Sequence, residues 1–125
     1  MRFAGYAAVF DRPDSGGDVV KRGAFAEAVK RVGDVPLLLQ HKGQPVGRIE
    51  HLSEDKRGLR VIARVEDPRV GELVRLGLRG LSFGYRVREA SAAEGMRELR
   101  ALDLVEVSLV KRPMQKLAKV HAVDA

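Results

Sequence analysis

DPRVGELVRLGLRGLSFGYRVR, residues 67–88, decides the fold class. Asp67-Pro68 is a helix start signal: the carboxylate caps free N–H groups, and proline takes the first helical position, where no N–H is needed. Val70, Leu73, Val74 and Leu78 follow as one apolar stripe at helical spacing, and Gly80 stops the helix. Leu81, Phe83, Tyr85 and Val87 then alternate with Ser82, Gly84, Arg86 and Arg88, the two-residue period of a strand. The letters GLSFG match G-x-S-x-G, but a nucleophile elbow runs strand, turn, helix. Here the order is helix, turn, strand, and 125 residues are few for an α/β-hydrolase.

The flanking sequence extends the β reading. Residues 2–10 alternate loosely around Phe3, Ala7 and Val9 as a strand, and DRPDSGGD (11–18) is a turn-rich loop. Phe25, Val29 and Val32 predict a short amphipathic helix over 23–32, ended by Gly33. Pro36 to Gln40 is an apolar strand that delivers His41 to its end; KGQP (42–45) is a turn and 46–52 a further strand. SEDKRG (53–58) is a hairpin loop. In 59–66, Leu59, Val61, Ala63 and Val65 alternate with Arg60 and Arg64. Residues 89–96 are small and polar, a mobile loop; 97–110 is a long strand or hairpin arm, and LAKVHAV (117–123) a last short strand. No internal repeat appears. The βαβ alternation of a parallel sheet is missing. The expectation is an α+β, mainly β domain over 1–125: a small barrel of six or seven strands with flanking helices.

Composition narrows the function classes. An apolar fraction of 45% builds one core, resting on Val, Leu, Ile and Ala, since aromatics are 5% and Trp is absent. No apolar run approaches the roughly 18 residues of a membrane span. MRFAGYAAVF meets Asp11 and Arg12 too early for a secretory signal. There is no Cys, hence no disulfide framework or thiolate metal site; a cytosolic setting fits. The net charge of +6 permits nucleic-acid binding, yet the basic residues are scattered among acids, as in RVREASAAEGMRELR (86–100). A small basic nucleic-acid-binding barrel would need a contiguous Lys/Arg face and exposed stacking aromatics. Three dispersed His without an i, i+4 pair argue against zinc, and no phosphate loop or dinucleotide fingerprint occurs, so no metal or cofactor is expected.

Three residues carry the chemistry. His41 lies where an apolar strand meets a Gly/Pro-containing turn, Ser82 at the start of a strand beside small Gly84, and Glu106 is the one charge in LVEVSLV. A serine hydroxyl attacks poorly until an imidazole takes its proton, and a third group must orient that imidazole. Glu106 inside a Val/Leu strand is costly to bury without a partner. Asp103 competes for this place, but its parity groups it with Val105, Val107 and Leu109, which read as core-facing, whereas Glu106 shares a face with Ser108. Ser108 is a rival nucleophile, read here as a strand hydroxyl with a hydrogen-bonded partner.

These residues resemble a known family, the HK97-type prohead (capsid-maturation) serine proteases of tailed bacteriophages. The stretches that carry the resemblance are GYAAVFDRPDSGGDVVKRGAF (5–25), VPLLLQHKGQPVG (35–47), LRGLSFGYRV (78–87) and LDLVEVSLVKRP (102–113), in the family's order. The resemblance implies a herpesvirus-assemblin-like barrel with His41 as general base, Ser82 as nucleophile and Glu106 as third triad member. It also implies cleavage of scaffold protein, or of the N-terminal scaffolding segment of the major capsid protein, inside the immature capsid in the host cytoplasm. A homodimer is compatible with it, and so is a version from a domesticated phage-like gene transfer agent. The rival of a different class is a catalytically inactive capsid-assembly or scaffold-binding module of the same fold, in which the three residues fail to converge.

Overall fold

The computed structural model describes residues 1–124. Eight strands form one sheet: β1 (Arg2–Val9), β2 (Asp18–Val20), β3 (Pro36–Leu39), β4 (Lys42–Glu54), β5 (Gly58–Val65), β6 (Gly80–Ala93), β7 (Met96–Val110) and β8 (Val120–Asp124). Their order is β2-β7-β3-β4-β5-β1-β8, and β6 also pairs with β7. The chain entering β8 bridges β1 and β6: Lys119 O accepts from Tyr6 N at 3.1 Å, Ala118 O from Leu81 N at 2.9 Å, and Arg79 O from Val120 N at 2.7 Å. These bonds close the sheet into a barrel, as expected from the sequence. Full closure removes the free strand edges that an open sheet would present at these positions. No helix among the described residues is long and apolar enough to cross a membrane.

The β5 alternation is realised: Leu59, Val61, Ala63 and Val65 are all buried. They pack in the core with Phe3, Phe25, Leu37, Leu81, Leu99, Leu102, Val107 and Leu109. The single α-helix, α1 (Pro68–Arg75), starts as read: the Asp67 carboxylate accepts from Arg69 N at 2.9 Å and Val70 N at 3.4 Å. It ends earlier than expected. Leu76 is its C-cap, and Gly77, with φ +122°, turns the chain out; Gly80 already belongs to β6. The carbonyl of Val74 accepts from Gly77 N at 3.1 Å and also from the guanidinium of Arg79, so backbone and side chain together close the last turn.

Four other readings are corrected. Residues 23–32 are turns and 3-10 segments (Ala28–Lys30 and Val32–Asp34), not an α-helix, and Gly33 lies inside the second. The Glu54 carboxylate takes Gly23 N at 2.9 Å and Phe25 N at 2.8 Å, while Ala24 O accepts from Leu102 N. Of these groups only Ala24 O would have an intrahelical partner, and a tertiary contact uses it instead; the Gly23 and Phe25 N–H groups, free at the start of any helix, are taken by Glu54. Residues 42–45 are strand; the turn lies at Gln40-His41. Residues 89–96 are mostly strand: β6 and β7 continue as a hairpin arm to Ala93 and Met96, joined by Glu94-Gly95, both with positive φ. Finally, the register slips between Gly84/Tyr85, so Val105 has no partner and is 46% exposed. This β-bulge resets the alternation of β7. Above it Val107 and Leu109 face the core; below it Leu102 does, and Asp103 points outward with its nearest cation, Arg88, at 3.7 Å.

Candidate active site

His41 is placed by an unusual hairpin. Leu39 pairs with Lys42, leaving Gln40 and His41 as the two connecting residues, with φ of 55° and 63°. This is a type I′ turn, which normally takes Asn-Gly or Asp-Gly because both residues must be left-handed. For residues with a Cβ that conformation costs roughly 1–2 kcal/mol each and persists only where surroundings impose it. Here they do so from β7. Gln40 N donates to Leu109 O at 2.9 Å, Gln40 Oε1 accepts from Lys111 N at 2.7 Å, and His41 N donates to Ser108 Oγ at 3.1 Å.

β3 runs parallel to β7 with Leu38 beside Ser108, which brings the turn over the polar face of β7. His41 Nδ1 meets Glu106 Oε1 at 2.7 Å and Oε2 at 3.2 Å. A carboxylate only accepts, so Nδ1 carries the proton and the Nε2 lone pair is left to act as a base. The Glu106 side chain is 7% exposed and that of His41 43%, so the acid is inside and the imidazole opens to solvent. The hydroxyl of Ser108 donates to Glu106 Oε1 at 2.9 Å and is itself inaccessible. Ser108 therefore has the hydrogen-bonded role read from the sequence. Asp103, on the far side of the bulge, does not approach His41.

Ser82 sits on the neighbouring strand, directly opposite Ser108, with Gly84 opposite Glu106. Residues facing each other across an antiparallel pair share a face, with Cβ atoms about 4.5–5.5 Å apart. Ser82, Gly84, Glu106 and Ser108 thus form one polar face, with Leu81, Phe83, Val107 and Leu109 on the other. Among the described residues no hydrogen bond joins Ser82 to His41. Ser82 is buried, lining a small cavity with Asp14, Met114, Gln115 and Ala118. Gln115 pins that covering segment: Val9 N donates to its Oε1 at 2.9 Å, and its Nε2 donates to Val9 O at 2.8 Å and Arg12 O at 3.2 Å.

Gly84 has a role the sequence reading missed. A Cβ there would lie 3.1 Å from Cγ, Cδ and Oε2 of Glu106. The second glycine of GLSFG therefore makes room for the acid, rather than only for an approaching backbone. The signal was present in the sequence as two short alternations, Ser82-x-Gly84 and Glu106-x-Ser108, but their pairing needed the register.

Below the site, Phe83 packs edge-on against Phe25 with centroids 5.3 Å apart and lies 4.9 Å from the Tyr85 ring. Tyr85 OH donates to Asp18 Oδ2 at 3.2 Å, and Arg97 Nε and Nη2 donate to the same carboxylate at 3.0 and 2.9 Å. The Arg97 guanidinium holds the Asp18 carboxyl below its ordinary value, with Tyr85 assisting against partial burial. Burial and the Asp18 charge push the Tyr85 phenol up. Each Phe and Tyr is buried or half-buried.

Comparison with known proteins bears on the fold and the family. The prohead protease of Enterobacteria phage HK97 is 42% identical over 62 residues, which are 47% of this chain and 28% of that protein. The crystal structure of KSHV protease in complex with a hexapeptide phosphonate inhibitor superposes with a TM-score of 0.67 at 15% identity, covering 95% of this chain and 63% of that one. At that identity the likeness is one of fold, and it bears out the assemblin-like barrel. The chain thus spans under two thirds of either relative. The caudovirus prohead serine protease family matches residues 1–125, and the chain belongs to that family.

Proposed function

We propose that this chain is a serine endopeptidase of capsid maturation, with Ser82 as nucleophile, His41 as general base and Glu106 as the group that orients and stabilises the imidazole. The observation that carries the reading is the 2.7 Å contact between His41 Nδ1 and buried Glu106, beside the face that holds Ser82. Ser82 Oγ attacks the scissile carbonyl while its proton passes to His41 Nε2. The tetrahedral intermediate collapses, His41 returns the proton to the leaving amine, and an ester on Ser82 remains. Water, deprotonated by His41, then hydrolyses the ester and frees Ser82. In free enzymes such serine–histidine contacts are often long and close only when substrate binds.

The substrate is scaffold protein or the N-terminal scaffolding segment of the major capsid protein, cut inside the immature capsid. The inactive-module alternative predicts dispersed site residues, and the His41–Glu106 contact speaks against it. A second copy of the chain has apolar surface to meet in this reading: Leu73 of α1 and Leu76 at its C-cap are 44% and 76% exposed.

The test has two arms. Co-expression with the neighbouring major capsid protein, wild type against Ser82→Ala, is read by intact mass of the capsid subunit; a shortened subunit is expected only with wild type. Purified protein is then treated with a fluorophosphonate and the labelled residue mapped. Label on Ser82 supports the reading; label on Ser108, or processing by Ser82→Ala, overturns it.

A further inference from the structure

We infer that Ser108 is a positioning residue of this site, holding the base and the acid in register through one hydroxyl; the inference rests on the protease reading above. The hydroxyl is fully buried and bridges two groups. It accepts from His41 N at 3.1 Å and donates to Glu106 Oε1 at 2.9 Å. One bond fixes the backbone of the left-handed turn, and the other fixes the carboxylate that the same imidazole contacts. The imidazole is thus located at both ends, through its main chain and through its partner. An isolated His with φ of 63° has little reason to stay there. The Gln40 contacts hold the preceding residue of the turn, so His41 N depends on Ser108 alone among the described residues. Ser108 has no free face toward a substrate, which separates this role from that of a nucleophile.

The test uses the full chain and a fluorophosphonate, whose reaction with Ser82 depends on the base but not on a peptide sequence. Ser108→Ala is expected to lower the maximal phosphonylation rate about 10- to 100-fold, with the reagent's half-saturation changed less than about two-fold, because misplacing a base by about 1 Å costs on that order. Ser108→Thr, which keeps the hydroxyl, restores most of the rate. A sharp downfield Nδ1 proton of His41 is expected in the wild-type proton NMR spectrum, and its loss is expected in Ser108→Ala. If Ser108→Ala does not fold, Ser108→Cys carries the test, since a thiol of similar shape is a weak donor. An unchanged rate together with an unchanged His41 proton overturns the inference. A wild-type protein inert to the reagent overturns the protease reading instead, and the NMR signal still decides the role of Ser108.

Discussion

Replacing Glu106 by Gln tests the site at its most determined point. The side chain keeps its shape but trades one acceptor oxygen for a donor. In the wild type three contacts converge on that carboxylate: His41 Nδ1 at 2.7 and 3.2 Å, and the Ser108 hydroxyl at 2.9 Å. A glutamine oxygen at the Oε1 position keeps both the Nδ1 and the Ser108 contacts, and with them the tautomer, but has no charge to stabilise the imidazolium. Turned the other way, it presents an NH2 to both, which selects the tautomer with its proton on Nε2, the wrong nitrogen for a base. An acid-to-amide change of this kind in a hydrolytic triad costs on the order of 10⁴ in kcat, so Glu106→Gln should lose roughly 10³- to 10⁴-fold with KM nearly unchanged. Stability moves little, because losing a hydrogen bond is offset by no longer burying a charge; a change within about 1 kcal/mol is expected. The assay is kcat and KM on the mapped cleavage site, with a thermal melt on the same sample. Asp103→Asn is the control: that carboxylate is exposed, 3.7 Å from Arg88, and its loss should leave kcat unaltered. A Glu106→Gln enzyme within about ten-fold of wild type, with an unchanged melt, would falsify the assignment of the acid.

Gly84→Ala places a methyl 3.1 Å from three atoms of the Glu106 side chain, so the carboxylate must move; kcat should fall about 10- to 100-fold while circular dichroism stays native, and full activity would remove the proposed reason for this glycine. Gln115→Ala strips partners from Val9 N and O, which costs about 1–3 kcal/mol per unpaired group. Hydrogen exchange should then quicken at Val9 and in the segment covering Ser82, and unaltered protection there would show that Gln115 does not pin it. Asp18 gives a pH signature. Its folded value lies below the ordinary 3.8, so its stabilisation is fully present above 3.8 and is lost as pH falls below it. Asp18→Asn should therefore lower the urea midpoint at pH 7 and converge with wild type in that acid range; a constant difference down to the most acidic sample would refute the linkage.

What the sequence revealed and what it hid follow from the range of the forces involved. The β5 strand and the Asp67-Pro68 helix start are local: alternation and a cap are written into adjacent residues, and both appear where expected. The position of His41 at a strand end and the shared parity of Glu106 and Ser108 were legible for the same reason. The turn was not, because turn chemistry favours KGQP with its Gly and Pro, while Gln40-His41 is held left-handed by bonds from Leu109, Ser108 and Lys111, some 70 residues away. Parity failed for Asp103 because one unpaired residue, Val105, reverses which side of β7 faces inward, and no residue type announces a bulge. The apolar spacing at Phe25, Val29 and Val32 marked the inward side, with Phe25 buried and Val29 and Val32 half-buried, but not the backbone, where Ala24 O accepts from Leu102 N instead of a helical N–H.

The same irregularities explain why the site is where it is. A regular antiparallel barrel would give β7 an unbroken alternation, with an apolar inner face and a polar outer one. The bulge at Val105 instead begins a stretch, residues 106–110, in which both faces are buried. One face of that stretch packs in the core. The other holds Glu106 and Ser108, paired across to Gly84 and Ser82, with the His41 turn bonded to both Glu106 and Ser108. A charge there is stable only because it has His41 and Ser108, and the strained turn is stable only because it has Ser108 and the end of β7. Each costly feature thus supplies the other's partner, so removing either side should expose the cost of the one that remains. In the proposed site this mutual dependence is what a barrel wall that had acquired polar residues by drift would lack, since drift would leave the acid or the turn without its counterpart.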